Sequence, residues 1–247
     1  MDPCQRLLLE NSYSAFGDAA LDRTVLGGSL TGVFLGFGGS EFGRLLAVSP
    51  AGGGVYAATG SSLSIASGRV SYVLGLHGPC VSCDTACSAA LTACHGGVRA
   101  LQLNECVAGL VAGVNLMLAP AISLAFAIAG MTSASGRSHT FDASADGYAR
   151  GEACGCVVLR EGAVTRAAVS LIGSVVRQDG RSASLTAPNG QAQQGLLSAA
   201  LGDASILPDA VALGEAHGTG TKLGDPIEAG SLAGAVLSMH GKAPLPV

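Results

Sequence analysis

The sequence predicts an α/β protein whose mostly parallel sheet is covered by helices on both faces. Apolar, strand-like runs alternate along the chain with segments of helical periodicity, which is typical of repeated strand–helix units. Hydrophobic residues make up 49% of the 247 residues and charged residues only 12%, so much of the chain must be buried. After a short polar gap at residues 160–166 the alternation starts again, which indicates two related halves.

The first half is predicted to open with a helix and to continue as alternating strands and helices. Asp2 is a suitable cap for the first helix, residues 2–21, and Pro3 suits its first turn because proline lacks the N–H that would be unpaired there. Gly96 and Gly97 would let a later helix pack closely on the sheet. The predicted strands are residues 31–38, 79–84, 106–117 and 153–159, and the predicted helices are residues 61–74 and 87–103.

The second half is predicted to contain strands at residues 167–176 and 210–216, with a helix at residues 191–201 between them. A last helix is predicted to open at Asp225. Its D-x-x-E pattern, with Pro226 in the first position and Glu228 in the third, is a capping box that would satisfy the N–H groups of the helix's own first turn.

The stretch from residue 107 to 131 has no charged residue and is long enough to span a bilayer. It is rich in glycine and alanine, however, and Pro120 would break a single long helix. Buried parallel strands also give unbroken apolar runs, so we expect a core strand, a loop and a buried helix, with a membrane protein as the alternative. The N-terminus, MDPCQRLLLE, does not resemble a signal peptide, and a cytoplasmic location is expected.

Charge and cysteine content exclude several classes of protein. The formal net charge is 13 − 17 = −4, which leaves little material for a nucleic-acid-binding face. The eight cysteines, without a secretion signal, are not expected to form a disulfide framework. All except Cys87 are expected to be small buried side chains. Cys80, Cys83 and Cys87 have a metal-like spacing, but residues three apart on a strand face opposite sides, so no metal site is predicted.

Cys87 is the first candidate for chemistry. An apolar strand leads into a tight turn, and a helix of small residues starts there, in the run CDTACSAAL. The N-terminus of a helix favours a thiolate, and a strand-to-helix elbow presents a nucleophile at the end of a sheet. The alternative is a core cysteine that happens to precede a helix.

His217 is the second candidate. The predicted strand before it would deliver the histidine to its carboxyl end, where ligands bind in α/β sheets. The flexible loop that follows carries the hydroxyls of Thr219 and Thr221. A histidine there could donate a hydrogen bond to a carbonyl oxygen or move a proton. The alternative is a structural histidine that caps the loop.

These motifs together resemble the β-ketoacyl synthase (ketosynthase) domains of type I polyketide and fatty acid synthases. DTACSAAL, which contains Cys87, is similar to the nucleophile motif of that family, and EAHGTGT, which contains His217, is similar to its first histidine motif. The resemblance also covers SGRVSYVLGLHGPCVSCDTACS, FDASADGYARGEACG and DGRSASLTAPNG, and it runs almost continuously from Asp2 to Val247.

The resemblance implies a thiolase-like fold of two duplicated α/β halves in five layers. It implies a decarboxylative Claisen condensation, in which Cys87 holds an acyl group as a thioester and a malonyl-type extender arrives on an acyl carrier protein. His217, with a second histidine, would stabilise the enolate, and Thr219 and Thr221 would hold the phosphopantetheine arm. No bound cofactor is implied. The implied partners are the acyl carrier protein, neighbouring synthase domains and a second copy of the chain, with the nucleophile strand close to the two-fold axis.

Two departures from the family pattern predict a partial domain. The second histidine of the family lies in an N-x-G-H motif that these 247 residues do not contain, and the first strand of the family would precede Met1. We therefore expect most of the N-terminal half in residues 1–166 and the start of the C-terminal half in residues 167–247. Loss of the first strand should remove a pairing partner from inside the N-terminal sheet, so the isolated chain is expected to be unstable and inactive in condensation.

Other classes stay open at this point. The chain could be a non-catalytic fragment or a scaffold for a partner protein, although Cys87 and His217 are both present. A thiolase or a ketosynthase of the Cys-His-Asn type is a further alternative, and the His-Gly-Thr-Gly-Thr loop argues against both.

Overall fold

The computed structural model describes residues 1–162 and 169–237. The chain divides into two compact units. Unit 1 comprises Met1–Ile122 and Gly151–Ser170, and unit 2 comprises Ser123–Arg150 and Leu171–Val247.

Unit 1 contains a four-stranded mixed sheet and helices on both of its faces. Its strands are β1 (Thr31–Gly36), β2 (Cys80–Cys83), β3 (Ala108–Asn115) and β4 (Ala153–Leu159). Its helices are α1 (Pro3–Asp18), α2 (Arg23–Leu26), α3 (Glu41–Ala47), α4 (Ala57–Ser61), α5 (Leu63–Leu74) and α6 (Ala89–Gln102), with a 3-10 turn at Pro50–Gly53. The predicted strands and the three predicted helices of this half are confirmed, whereas α2, α3 and α4 were not predicted.

The four strands pair consecutively in the order β2-β1-β3-β4. β1 is parallel to both of its neighbours, and β4 is antiparallel to β3. Because β1 pairs directly with β3 over its whole length, the described sheet has no interior gap. The expected loss of an interior pairing partner is therefore wrong for the described sheet, and the expected instability of the isolated chain stays a prediction.

The core of unit 1 lies on both faces of β1 and β3, and β1 is buried at every position, as expected for a strand with helices on both sides. Leu8 and Phe16 of α1 and Val70 of α5 pack on one face. On the other face, α6 packs against Phe34 and Val111. The predicted cap of α1 is confirmed, since the N–H of Cys4 donates to Oδ1 of Asp2 at 2.7 Å, and the helix ends three residues before the predicted boundary.

The apolar stretch at residues 107–131 forms β3, a loop and α7 (Pro120–Ile128). The strand and the loop are as predicted, but the expectation of a buried helix is wrong. None of the side chains of α7 is buried, and Leu124 and Ile128 are 61% and 79% exposed. Within the described ranges, no helix combines the length and the apolar character needed to cross a membrane.

Unit 2 contains α8 (Gly190–Ala204), a 3-10 turn at Pro208–Ala210 and α9 (Gly224–Ala235). The helix predicted at residues 191–201 is confirmed as α8. The two predicted strands are wrong for the described residues, because residues 169–176 and 210–216 form no strand; residues 167 and 168 lie outside the described part. A strand needs the ladder of a neighbouring strand, and here the N–H of Ser174 donates instead to Oδ2 of Asp203 at 2.8 Å.

Candidate active site

Cys87 lies in a sharp turn between the end of β2 and the start of α6. Asp84 follows β2 directly, and its Oδ1 accepts the N–H of Ala86 at 2.9 Å. Ala86 then adopts φ 54°, a left-handed conformation that costs a residue with a side chain roughly 1–2 kcal/mol. Cys87 follows with an exposed side chain. The predicted elbow is therefore present, although the helix begins two residues later than predicted, at Ala89.

Hydroxyl groups fix this turn from the helix side. The hydroxyl of Ser88, the residue that precedes α6, donates to the carbonyl oxygen of Thr85 at 2.9 Å. The hydroxyl oxygens of Thr85 and Thr92 lie 3.1 Å apart. The turn that carries Cys87 is thus bound to the first turns of α6, so the position of the helix sets the position of the thiol.

Two glycines of the sheet determine how closely α6 approaches. A Cβ atom on Gly36 of β1 would lie 2.5 Å from Cα of Ala90, and one on Gly113 of β3 would lie 2.9 Å from Cβ of Ala90. Neither glycine was predicted from the sequence to have a role. The sequence feature that could have revealed their role is a glycine inside each of two buried strands, because such a glycine often marks the close approach of another backbone. Of the two predicted helix glycines, Gly97 has neighbours at 3.2 Å and fits the prediction, whereas Gly96 has room for a methyl group.

His217 lies in a loop of unit 2, and its backbone is held by the carboxylate of Glu228. The N–H groups of His217 and Gly218 donate to Oε1 and Oε2 of Glu228 at 2.6 and 2.9 Å. The carbonyl oxygen of Gly218 accepts the hydroxyl of Thr140 at 2.5 Å. The side chain of His217 is exposed, so the loop presents the imidazole at the surface of unit 2.

The rest of this loop is held by Asp225, whose side chain is only 5% exposed. Its Oδ1 accepts the N–H groups of Gly220 and Thr221 at 3.0 and 3.2 Å, and its Oδ2 accepts the N–H of Phe141 at 2.7 Å. The hydroxyl oxygens of Thr219 and Thr221 lie 3.2 Å apart. The structure therefore brings His217, Thr219 and Thr221 together on one loop in unit 2, and it places Cys87 in unit 1.

The predicted capping box at Asp225 is wrong. α9 begins one residue earlier, at Gly224, and its N-cap residue Leu223 makes no side-chain capping hydrogen bond. The carboxylates of Asp225 and Glu228 accept N–H groups of the histidine loop instead of groups of their own helix. The carboxylates bind the loop because several of its N–H groups have no neighbouring strand with which to pair.

The environments of the other cysteines differ from that of Cys87. Burial raises the pKa of the Cys4 thiol to about 12, with the nearby carboxylate of Asp2 adding to the effect. A hydrogen bond from the thiol of Cys154 to the sulfur of Cys156 raises the pKa of Cys154 and lowers that of Cys156 to about 7. The expectation that all cysteines except Cys87 are buried holds only for Cys4 and Cys106. Cys80 is exposed on β2, and the remaining four are half-buried, namely Cys83, Cys94, Cys154 and Cys156.

The described part of the chain includes all eight cysteines, and no disulfide forms there. Among the residues that the structure describes, no group of three or more histidine, cysteine, aspartate or glutamate side chains is placed to hold a metal ion.

Comparison with family models identifies the class to which this fold and these motifs belong. Residues 1–164 match the model of the beta-ketoacyl synthase N-terminal domain, and residues 168–247 match that of the C-terminal domain. The chain belongs to the β-ketoacyl synthase family. The division between halves at residues 166 and 167, which was inferred from the sequence pattern, stays a prediction.

Curated relatives with similar sequences are polyketide synthases. The chain is 46% identical over 247 residues to the phenolphthiocerol synthesis polyketide synthase type I Pks15/1 of Mycobacterium bovis, with 98% of this chain and 11% of that protein covered. It is 46% identical over 239 residues to the pikromycin polyketide synthase component PikAII of Streptomyces venezuelae, with 94% of this chain and 6% of that protein covered. The chain thus matches a small part of large synthases.

Solved structures with the same fold are ketosynthase domains. The ketosynthase from module 6 of the bacillaene synthase from Bacillus subtilis 168 is 34% identical, with a TM-score of 0.86 over 100% of this chain and 43% of that one. The oxazolomycin ketosynthase domain from Streptomyces albus JA3453 is 35% identical, with a TM-score of 0.84 over 95% of this chain and 42% of that one. The predicted thiolase-like α/β fold class is confirmed.

Proposed function

We propose that this chain performs the acyl-transfer chemistry of a β-ketoacyl synthase in polyketide biosynthesis, with Cys87 as the nucleophile. The observation that carries the proposal is the elbow, which exposes Cys87 between the end of β2 and the start of α6. In the first step the sulfur of Cys87 attacks the carbonyl carbon of an acyl thioester. The bond from that carbon to the carrier sulfur breaks, and the carrier leaves as a thiol with the proton that Cys87 gives up.

The second step forms the carbon–carbon bond. A malonyl-type thioester loses its carboxylate as CO2, and the electron pair left on carbon attacks the thioester carbonyl on Cys87, whose sulfur leaves and takes up a proton. Negative charge develops on the thioester oxygen of the extender, and the imidazole N–H of His217 donates a hydrogen bond to it. The hydroxyls of Thr219 and Thr221 hold the pantetheine arm.

Condensation by this chain alone is not expected. The family resemblance implies a second histidine at the enolate, and the 247 residues lack its N-x-G-H motif. We infer that the chain, assayed by itself, accepts an acyl group on Cys87 but releases no 3-oxoacyl product. The extender is carried by an acyl carrier protein, and neighbouring synthase domains supply the acyl group, in keeping with the multidomain relatives.

A homodimer through β2 completes the proposal. β2 is at one edge of the described sheet, and Val81 on it is 47% exposed. An exposed apolar edge strand is a ready surface for pairing with a second strand. Sedimentation should show a dimer that Val81→Lys dissociates, whereas the matched change Val157→Lys on the opposite edge strand should leave it intact. A monomeric chain, or equal effects of both variants, would refute this interface.

The acyl-transfer step is tested by treating the purified chain with a hexanoyl N-acetylcysteamine thioester and measuring the intact mass. We expect one acyl group per chain, which Cys87→Ser abolishes. Cys80→Ser, which removes another exposed thiol at the start of β2, should leave the adduct unchanged. Equal labelling of the Cys87→Ser variant would show that Cys87 is not the acceptor and would favour the alternative of a non-catalytic scaffold.

A further inference from the structure

The histidine loop is held by an unusual use of the two acidic side chains of α9. Carboxylates in the first turn of a helix ordinarily bind the N–H groups of that same turn. Here Asp225 and Glu228 accept the N–H groups of four of the five residues from His217 to Thr221. The first N–H of α9, at Gly224, donates instead to the hydroxyl of Thr221 at 3.1 Å. The two carboxylates thus serve the loop and not the start of their own helix.

The loop needs this support because its own backbone cannot provide it. Gly218 and Gly220 both adopt left-handed conformations, with φ 55° and 70°, so consecutive N–H groups point to the same side and form a concave donor surface. Such a surface binds anions, and here the side chains of Glu228 and Asp225 fill it. The described residues 210–216 form no strand that could hold His217 from its other side.

We propose that Glu228 and Asp225 are positioning residues for the reaction of His217, and that they divide the loop between them. Glu228 fixes the backbone at His217 and Gly218, and therefore the direction in which the imidazole leaves the chain. Asp225 fixes Gly220 and Thr221, and therefore the hydroxyl proposed to hold the pantetheine arm. This inference rests on the proposed function, since a fixed imidazole matters only if His217 acts on substrate.

The test compares isosteric variants of the 247-residue chain, because glutamine and asparagine keep the packing and remove acceptor capacity. Hydrogen exchange of single amides is measured by NMR. Glu228→Gln should speed exchange at His217 and Gly218 by about tenfold or more, as expected for loss of hydrogen bonds to a charged acceptor. It should leave Gly220 and Thr221 unchanged. Asp225→Asn should instead speed exchange at Gly220 and Thr221 and leave His217 and Gly218 unchanged.

Three further readouts separate positioning from a general structural role. Side-chain couplings of His217 should report one χ1 rotamer in the original chain and averaged rotamers in Glu228→Gln at an unchanged melting temperature. Acylation of Cys87 should not change in either variant. Asp209→Asn, the same chemical change at an exposed site in unit 2, is the control and should alter none of these signals.

The proposal is overturned if Glu228→Gln leaves exchange at His217 and Gly218 unchanged. It is also overturned if either variant loosens all four amides together while the melting temperature falls, because the carboxylates would then be ordinary structural groups. Failure of the proposed function gives a different result, namely no acyl adduct on Cys87 while the two exchange patterns are as expected.

Discussion

The substitution Gly36→Ala tests whether the close approach of α6 positions Cys87. The new Cβ atom would lie 2.5 Å from Cα of Ala90 and closer still to the backbone nitrogen of Ala90. Ordinary contact begins near 3.4 Å, so the start of the helix must move by about 1 Å. Overpacking of this kind costs ~1–3 kcal/mol, and a displacement of ~1 Å at a reacting group can cost about a hundredfold in rate.

The assay is single-turnover acylation of Cys87, measured beside urea unfolding of the same protein. Gly36→Ala should acylate about a hundredfold more slowly and unfold at a lower urea concentration. Gly96→Ala is the matched control, because its new Cβ would lie 3.6 Å from the ring of Phe34. It should acylate at the original rate and gain up to ~1 kcal/mol of stability from the better helix propensity of alanine. Original acylation rate and stability in Gly36→Ala would refute the role of the glycine.

Three further substitutions test other parts of the structure. Cys154→Ala removes the hydrogen bond that favours the Cys156 thiolate, so the pKa of Cys156 should rise from about 7 and alkylation of that thiol at pH 7 should slow; an unchanged rate would contradict the hydrogen bond. Gly220→Ala forces a side chain into φ 70° and should lower the free energy of unfolding by ~1–2 kcal/mol, whereas Gly202→Ala in α8, with open space around it, should not. Ala86→Gly should relieve the left-handed strain at the elbow and raise the unfolding free energy by up to ~1 kcal/mol, and a loss of stability would argue against that strain.

The elements of unit 1 could be predicted from the sequence because local signals agreed with the final packing. β1 and β3 are apolar except for one polar residue at an end of each, and Asp2 with Pro3 marks the start of α1. The short helices α2 and α3 were missed, although Asp22 and Ser40 cap them with side-chain hydrogen bonds. Helices of four and seven residues carry too little periodicity for a pattern to be detected.

The errors in the second half have a common physical cause. Apolar runs at residues 167–176 and 210–216 suit strands, but a strand forms only beside another strand, and the described residues of unit 2 provide none. The pattern at Asp225 and Glu228 suits a capping box, but it does not reveal that the loop just before the helix supplies the N–H donors. In both cases the outcome depends on which groups the folded chain brings together, which the local pattern does not show.

The candidate site was predicted in part. Cys87 and His217 were found because each follows an apolar run and is flanked by small residues, and the elbow at Cys87 is present. The glycines of the sheet that seat α6, Gly36 and Gly113, were not found, since their role appears only when Ala90 is seen against them. Asp225 and Glu228 were noticed in the sequence, but they were predicted to cap their own helix and not to hold the histidine loop.

In the proposed function, the geometry of the elbow, and not thiol acidity alone, makes Cys87 the acyl acceptor. Cys156 is the thiol whose pKa is lowered to about 7, so a small alkylating reagent offers a direct contrast. The decisive measurement is site-resolved mass spectrometry of all eight cysteines after separate treatment with iodoacetamide and with an acyl thioester at pH 7. We expect early alkylation of Cys156 by iodoacetamide but acylation of Cys87 by the acyl thioester. Acyl groups that follow the alkylation pattern, or that avoid Cys87, would contradict it.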